Sequence, residues 1–243
     1  MKKRWQSQKE KKEEKMKTIE RWMRKHKVSY FSATHHPFIL NIRDASIHSS
    51  SFKRWLGQNY LFVRNFVPFV ASVLMKCAKE SDNESDMEVI LAGMASLHDE
   101  IAWFKKEAAK WDVQLTGITP HKTNQNYCRF LESLMQPDVD YAVAITAFWT
   151  MEAVYQQSFA YCLKDDAKTP AELREACERW GSEGFGQYCS SLQEIAERSL
   201  SKVSDDVKAK AEVTFLRVLE EEVEFWNMSE VLELVSSTVS AIN

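Results

Sequence analysis

Glycine and proline are scarce in this chain, which has six glycines and five prolines among 243 residues. An average protein uses roughly 7% glycine and 5% proline, so both residues are under-represented here. Long stretches without either residue, and without clusters of turn-forming residues, favour helices over strands and tight turns. We therefore predict an all-α fold, a single-domain helical bundle that is long enough to bury a sizeable core.

Cysteine occurs at five positions, but the pattern of a disulfide framework or a structural zinc site is missing. The number is odd, and no two cysteines have the C-x-x-C spacing. Unpaired cysteines of this kind are typical of a reducing compartment. We therefore expect a cytoplasmic protein without a structural metal.

Long apolar runs and a strong charge of one sign are also absent. The longest apolar segments, FVPFVASVLM and YAVAITAFWTM, have about half of the ~20 residues that a membrane span needs. The net charge of -3 gives no general attraction to nucleic acid or to an acidic membrane surface. We expect neither as a partner.

The pattern of apolar residues divides the chain into one helical domain and two short ends. Residues 1–16 mix lysine with glutamate, which is untypical of a transit peptide, and are predicted to be a flexible charged extension. The domain is predicted to cover 17–228, and 229–243 to form a tail. The predicted helices cover about 17–28, 49–79 (with a serine N-cap and a kink near Pro68), 87–111, 124–135, 138–164, 170–179 and 205–229, with a short helix opened by Pro37 after the loop SATHHPF and another that ends near residue 201.

One glutamate of the segment LEEEVEFW lies in the middle of an apolar stripe. Phe215 and Leu219 precede Glu222 by seven and three residues, and Trp226 follows it by four. Positions at these spacings share one face of a helix. The other three glutamates turn away and are expected on the solvated face. A buried carboxylate costs free energy unless it is hydrogen-bonded, paired or functional, so Glu222 is a candidate site residue.

Three further polar residues, Asn59, Glu100 and Glu152, occupy the same kind of position on separate helices. Large apolar side chains, most of them aromatic, flank each of them at three, four or seven residues. Each residue alone is compatible with a hydrogen-bonded core group. Together, four helices that each direct one polar group inward predict a pocket inside the bundle, where such folds place their ligand sites.

Several chemistries are disfavoured by missing motifs. A di-iron bundle needs Glu-x-x-His pairs, and none of the six histidines has a glutamate three residues before it. A haem would need an axial ligand, for which His26 and His98 are candidates, although most single histidines are structural. No G-x-S-x-G elbow, P-loop or dinucleotide-binding glycine pattern occurs. Acid–base chemistry by buried glutamates on an organic ligand remains, with no cofactor.

Five segments, in order along the chain, resemble the TenA (thiaminase II-like) family of thiamin salvage. They are HPFILNIRDASIHSSSFKRWLGQNYLFVRNF, LHDEIAWFKKEAAKWDV, NQNYCRFL, FWTMEAVYQQSFAYCL and LEEEVEFW. The resemblance covers about residues 17–228 and is strongest to the plant branch that lacks the active-site cysteine. It implies a haem-oxygenase-like all-α fold without haem, and a homodimer or higher homo-oligomer.

The resemblance also implies a pocket for 4-amino-2-methylpyrimidines that carry an aminomethyl or hydroxymethyl group. Glu222 matches the family's catalytic glutamate, and Tyr127 matches a tyrosine of the pocket. Phe62 stands where many members have tyrosine. Ala147 stands in place of the cysteine that adds to the ring, and Asn59 in place of an aspartate that binds the pyrimidine.

From these features we predict a C–N hydrolase that converts N-formyl-aminomethyl or aminomethyl pyrimidine to the hydroxymethyl compound. Glu152 and Glu222 would activate water and protonate the leaving nitrogen, and Glu100 and Asn59 would hold the pyrimidine edge. The predicted apolar walls are Tyr127, Phe62 and Trp149. Two alternatives remain: an aminopyrimidine-binding protein with weak or no catalysis, and a helical interaction protein whose inward polar residues are core groups.

Overall fold

The computed structural model describes residues 16–230, and these form ten α-helices and no strand. The all-α prediction is confirmed. The predicted extension and tail lie almost entirely in residues 1–15 and 231–243, outside the described residues, so their boundaries stay predictions. The helices are α1 (Thr18–Lys25), α2 (Lys27–Thr34), α3 (Pro37–Arg43), α4 (Ser49–Glu80), α5 (Glu84–Lys110), α6 (Lys122–Leu134), α7 (Tyr141–Tyr161), α8 (Ala171–Gly181), α9 (Glu183–Ser201) and α10 (Asp205–Ser229).

Helix α7 forms the centre of the bundle. Every residue from Tyr141 to Met151 is buried, and a helix that is apolar on all sides needs neighbours on all sides. The helices α4, α8, α9 and α10 supply them, with α2 and α3 packed at one side. Groups on α7 that point towards α4 and α10 therefore lie deep inside the molecule.

Side-chain caps explain where several helices begin. Ser204 accepts a hydrogen bond from the Val207 N–H at the start of α10, and Ser182 accepts one from Phe185 at the start of α9. These hydroxyls satisfy backbone donors that have no partner inside the helix. Pro37 opens α3 as predicted, since its fixed φ suits the first helical turn.

The first helical segment differs from the prediction. The helix predicted over residues 17–28 ends at Lys25, and α2 continues to Thr34, into the expected loop. Tertiary contacts account for the extension, because Tyr30, Ala33 and Thr34 are buried and the Trp226 indole donates to the Ala33 carbonyl at 3.0 Å. Packing against α10 thus stabilises a segment whose own composition is typical of a loop.

Helix α4 is the longest, and its N-cap is His48 rather than a serine. Pro68 lies inside it without ending it. In the described part of the chain, α4 is the one helix long and apolar enough to cross a membrane by length and composition. Its apolar residues, however, pack against α5, α6, α7 and α10, as expected for a core helix.

Gly181, the last residue of α8, lies directly against the backbone of α7. A Cβ at this position would come within 2.6 Å of the Phe159 carbonyl carbon and the Ala160 nitrogen. No real side chain tolerates such a contact. The preceding residue, Trp180, is thereby held against Phe159 and Trp55, with ring centroids 5.2 and 5.7 Å away.

Candidate active site

A cavity inside the bundle brings together polar groups from several helices. Its empty space, including the open mouth, is about 330 Å³. Five helices, α4, α5, α7, α8 and α10, line it. The lining residues are Asn59, Phe62, Val63, Phe66, Glu100, Met151, Glu152, Tyr155, Trp180 and Glu222.

The four inward polar residues singled out by helical spacing all line this cavity. Asn59 comes from α4, Glu100 from α5, Glu152 from α7 and Glu222 from α10. Each projects from the buried stripe of its own helix, which is why four segments far apart in sequence meet here. Their location is therefore established, and their chemical roles stay predictions.

Glu222 is almost completely buried, with 1% of its surface exposed. The Tyr127 hydroxyl donates a hydrogen bond to its Oε1 at 2.6 Å, whereas its Oε2 has no hydrogen-bond partner. Burial raises the pKa of Glu222 to about 8, the nearby charge of Glu221 adds to the rise, and the Tyr127 hydrogen bond opposes it. At neutral pH Glu222 is consequently a protonated acid with one oxygen available to a ligand.

Glu100 and Glu152 form the rest of the acidic cluster. Both are partly exposed because they line the cavity, but protein surrounds them on all sides. Burial raises the pKa of Glu100 to about 7, against the opposing effects of Arg179 and the Trp180 indole. Burial, followed by the charges of Glu100 and Glu222, raises the pKa of Glu152 well above its usual value. Burial thus favours the protonated form of all three carboxyls.

Asn59 is an uncharged polar residue that lines the cavity. It is 1% exposed, and its Nδ2 makes no hydrogen bond of good geometry. It nevertheless faces the Tyr155 hydroxyl, closely enough to lower the pKa of that group. Buried amide groups are almost always hydrogen-bonded in proteins, so an unpaired one in a cavity indicates a position for a ligand.

Aromatic rings form the walls around these polar groups. Phe62 packs against Tyr127 and Phe225, with ring centroids 4.7 and 5.5 Å apart. Tyr155 packs against Trp180, with centroids 5.8 Å apart. Aromatic rings that line a cavity together with polar groups suit a flat, heteroaromatic ligand.

Three residues predicted to contact the ligand, Tyr127, Ala147 and Trp149, are not among those that line the cavity. All three are buried. Met151, one turn after Ala147, provides the wall on this face of α7. Trp149 points to the other side of the helix and stacks on Phe215 with the centroids 6.1 Å apart. Tyr127 reaches the site through its hydrogen bond to Glu222.

Sequence reasoning missed Tyr155, Trp180 and Met151 as site residues. Tyr155 follows Glu152 by three residues and thus shares its face, but aromatic residues are so common in this helix that the spacing alone does not distinguish it. Trp180 belongs to a short helix with no inward polar residue. Only the contact of α8 with α7 places it at the cavity.

The cavity contains neither a thiol that could act as a nucleophile nor a cluster of side chains suited to a metal ion. The five cysteines are free, and none lines the cavity. Among residues 16–230, no group of three or more histidine, cysteine, aspartate or glutamate side chains is arranged to hold a metal ion.

The sequence and the fold are those of a known family. Residues 21–231 match the model of the TENA/THI-4/PQQC family, and the chain belongs to that family. Within it, the chain is 62% identical over 210 residues to a probable bifunctional TENA-E protein of Glycine max, covering 86% of this chain and 92% of that one. The resemblance to the plant branch of the family is thereby confirmed.

Solved structures agree with this assignment at the level of the fold. A TenA homologue from Pyrococcus furiosus superposes with a TM-score of 0.80 at 20% identity, over 88% of this chain and 100% of that one. A TenA homologue from P. horikoshii gives 0.73 at 15% identity, over 88% and 98%. At such low identities the likeness shows a shared architecture only.

Proposed function

We propose that this protein is a hydrolase of thiamin-pyrimidine salvage. Its substrates are N-formyl-aminomethyl or aminomethyl 4-amino-2-methylpyrimidine, and its mechanism uses glutamates without a cysteine nucleophile. The observation that carries the proposal is the unpaired Oε2 of Glu222, which belongs to a cavity lined by two more carboxyls and by aromatic rings. The family membership and the TENA-E relative support the same class of activity.

The cavity offers a binding mode for the pyrimidine ring. Phe62 and Tyr155 supply ring surfaces in the lining of the cavity, and Glu100 supplies a carboxylate for the edge that carries the amino group. A carboxylate can accept a hydrogen bond from the amino group and a second from the adjacent ring nitrogen when that nitrogen is protonated. Glu100 thus performs the part expected of the family aspartate, whose position Asn59 occupies.

Glu222 acts as the general acid. With a pKa of about 8 it holds its proton at neutral pH, and its free Oε2 directs that proton to a ligand. A nitrogen leaves as a neutral amine only if it receives a proton, so an acid in this position lowers the barrier to C–N cleavage. Tyr127 fixes the orientation of the carboxyl through Oε1.

Glu152 acts as the general base for the attacking water. The charges of Glu100 and Glu222 are what hold its pKa high beyond the effect of burial. Glu222 is already protonated at neutral pH, so the charge that a bound substrate neutralises is that of Glu100. The pKa of Glu152 then falls, which favours the ionised form that accepts a proton from water.

The deformylation step balances with these groups alone. Water adds to the formyl carbon and gives one proton to Glu152, and the carbonyl pair moves to oxygen. The C–N bond then breaks with its electron pair on nitrogen, which takes the proton of Glu222. Formate and the aminomethyl pyrimidine leave. For the amine substrate, water replaces the protonated amine at the methylene carbon and ammonia is released.

The test is a product assay on the purified protein with the N-formyl-aminomethyl and aminomethyl pyrimidines. Formate, ammonia and hydroxymethyl pyrimidine are measured. Glu222→Gln and Glu152→Gln should each lower kcat by about 10²- to 10⁴-fold, the usual contribution of a general acid or base. Glu224→Gln, an exposed glutamate two residues after Glu222, is the control and should keep full activity. Full activity in both cavity variants would exclude the mechanism.

The second candidate function is an aminopyrimidine-binding protein with weak or no catalysis. The absence of a thiol at Ala147 and the uncharged Asn59 favour it. It predicts a rise in melting temperature with aminopyrimidines but no product from any of them. A bound ligand contributes RT ln(1 + [L]/Kd), so saturating ligand gives a measurable shift. Neither a thermal shift nor turnover would favour the helical interaction protein.

A further inference from the structure

Hydrolysis of a formamide needs hydrogen-bond donors for the carbonyl oxygen, in addition to a general acid and a general base. When water adds to the formyl carbon, the carbonyl oxygen becomes negatively charged. Hydrogen-bond donors fixed around that oxygen are usually the largest single source of transition-state stabilisation. Ionised carboxylates only accept hydrogen bonds and repel such a charge. The donors must therefore come from the uncharged polar groups of the cavity.

Asn59 is the first such donor. Its Nδ2 carries two hydrogens, is buried, and makes no well-formed hydrogen bond to the protein. Leaving a buried donor unpaired costs about 1–3 kcal/mol. The cavity lies directly beside it, so a ligand oxygen there would satisfy the amide.

Tyr155 is the second donor. Its side chain lines the same cavity as Asn59, and a phenolic O–H can donate a hydrogen bond to a ligand oxygen there. Burial, followed by the charge of Glu222, raises the pKa of Tyr155 well above its usual value, and the nearby Trp55 and Asn59 side chains oppose that rise. The phenol consequently keeps its proton throughout the working pH range, as an oxyanion donor must.

We propose that the Asn59 amide and the Tyr155 hydroxyl form an oxyanion site for the tetrahedral intermediate of an N-formyl substrate. Residue 59 then determines whether the enzyme prefers the formamide or the amine. This inference rests on the proposed hydrolase function and adds its oxyanion donors and a specificity-determining residue.

The geometry also explains why asparagine suits this position better than aspartate. An aspartate here would be a fourth carboxyl in a cavity that already holds three, and in its ionised form it would offer the oxyanion no hydrogen. Hydrolysis of the amine at its methylene carbon passes through no oxyanion and has no use for the donor. The exchange of aspartate for asparagine is thus a gain for formamides, not a loss of binding charge.

The step uses no group outside the cavity. Water forms a C–O bond to the formyl carbon as its proton goes to Glu152. The π pair of the carbonyl moves to the oxygen, between the Asn59 and Tyr155 donors. That pair returns as the C–N bond breaks and the nitrogen takes the proton of Glu222.

The experiment compares Asn59→Asp and Tyr155→Phe with wild type on both substrates. Each variant should lower kcat for formate release by about 10²- to 10³-fold, the usual effect of one oxyanion donor. Any loss of ammonia release from the aminomethyl pyrimidine, or of affinity for the hydroxymethyl pyrimidine, should be at least about tenfold smaller than the loss of formate release. Asn65→Asp and Tyr60→Phe, on more exposed positions of the same helix α4, are the matched controls. Melting temperatures confirm that each variant is folded.

The possible results distinguish failure of the proposed deformylase function from failure of the oxyanion site alone. If wild type releases no formate, the proposed deformylase function fails, and the oxyanion site with it. If wild type releases formate and both variants keep at least a third of that rate, only the oxyanion site is wrong. An equal loss on both substrates, or a parallel loss of hydroxymethyl pyrimidine binding, would also overturn it, because it would mark a general structural role. Should Asn59→Asp fail to fold, Tyr155→Phe decides alone.

Discussion

Two parts of this bundle bury acidic side chains in opposite ways. Where α4, α5 and α9 meet, Asp86 is 3% exposed, and both of its oxygens are bound. Arg198 donates to one at 2.5 Å and the Ser81 hydroxyl to the other at 2.7 Å. Such a carboxylate is satisfied by the protein itself and supports the fold.

The carboxyls of the cavity are not satisfied in this way. Within residues 16–230, no lysine, arginine or histidine makes an ion pair with Glu100, Glu152 or Glu222, although Arg179 attracts Glu100 from further away. Their pKa values are raised as a result. A buried carboxyl therefore does not by itself indicate a functional site, whereas a buried carboxyl without a cationic side chain as partner does.

The largest expected difference is in the pH dependence of stability. The pKa of Glu222 is raised from 4.5 to about 8, so the folded protein holds a proton that the unfolded chain releases. This contribution to stability is complete below pH 4.5 and is lost as the pH rises through 8, with a slope of about 1.4 kcal/mol per pH unit. Glu222→Gln should remove that slope, measured by urea denaturation from pH 5 to 8.

Glu100 and Glu152 face the same cavity, Glu221 and Tyr127 lie beside Glu222, and all of them persist in the variant. The quantity to follow is therefore the difference between wild type and Glu222→Gln at each pH. A difference that stays constant across the range would show that Glu222 titrates normally, and the distinction between the two regions would disappear.

A smaller effect is expected at the satisfied acid. Asp86→Ala leaves Arg198 and the Ser81 hydroxyl without their partner and should lower the free energy of unfolding by about 2–3 kcal/mol. The expected loss in the free energy of unfolding is smaller than for a fully buried ion pair because the Arg198 side chain is 43% exposed. Asp82→Ala, whose carboxylate is 89% exposed in its pair with Lys202, is the control and should change stability by less than about 0.5 kcal/mol.

The smallest effect on stability is expected at Glu152. Burial raises the pKa of Glu152 well above its usual value, which favours the neutral carboxyl, and a glutamine has nearly the same shape and no charge. Glu152→Gln should therefore change the free energy of unfolding by no more than about 1 kcal/mol at pH 7, whereas the proposed mechanism predicts a large loss of activity. Thermal denaturation at pH 7 checks this, and a loss comparable to that of Asp86→Ala would mean that Glu152 is ionised and paired.

Most of the helices and the centre of the site could be predicted from the sequence. The period of 3.6 residues is a property of each helix alone, so it locates Glu222 or Glu100 on an inward face before any tertiary contact is known. The same reasoning places both ends of α10 within a residue, since its cap and its stripe are local signals.

The rest depends on contacts between distant segments. The extension of α2 requires the Trp226 indole, and the place of Trp180 requires the approach of α8 to α7. Likewise, Trp149 and Glu152 are three residues apart on α7, and the sequence does not show which of them borders the cavity. The structure does, because Trp149 stacks on Phe215, away from the cavity. How deeply a side chain is buried in a helical bundle depends on the helices that pack around it.

The contact of Gly181 with the α7 backbone has a consequence for mutational tolerance. Any larger residue there would push the end of α8 outward and take the Trp180 wall with it. In a genetic screen that selects for the proposed activity, position 181 would therefore be as intolerant of substitution as a catalytic position, although glycine has no side chain and does not line the cavity. A map of intolerant positions would in this way trace the scaffold of the cavity as well as its chemistry.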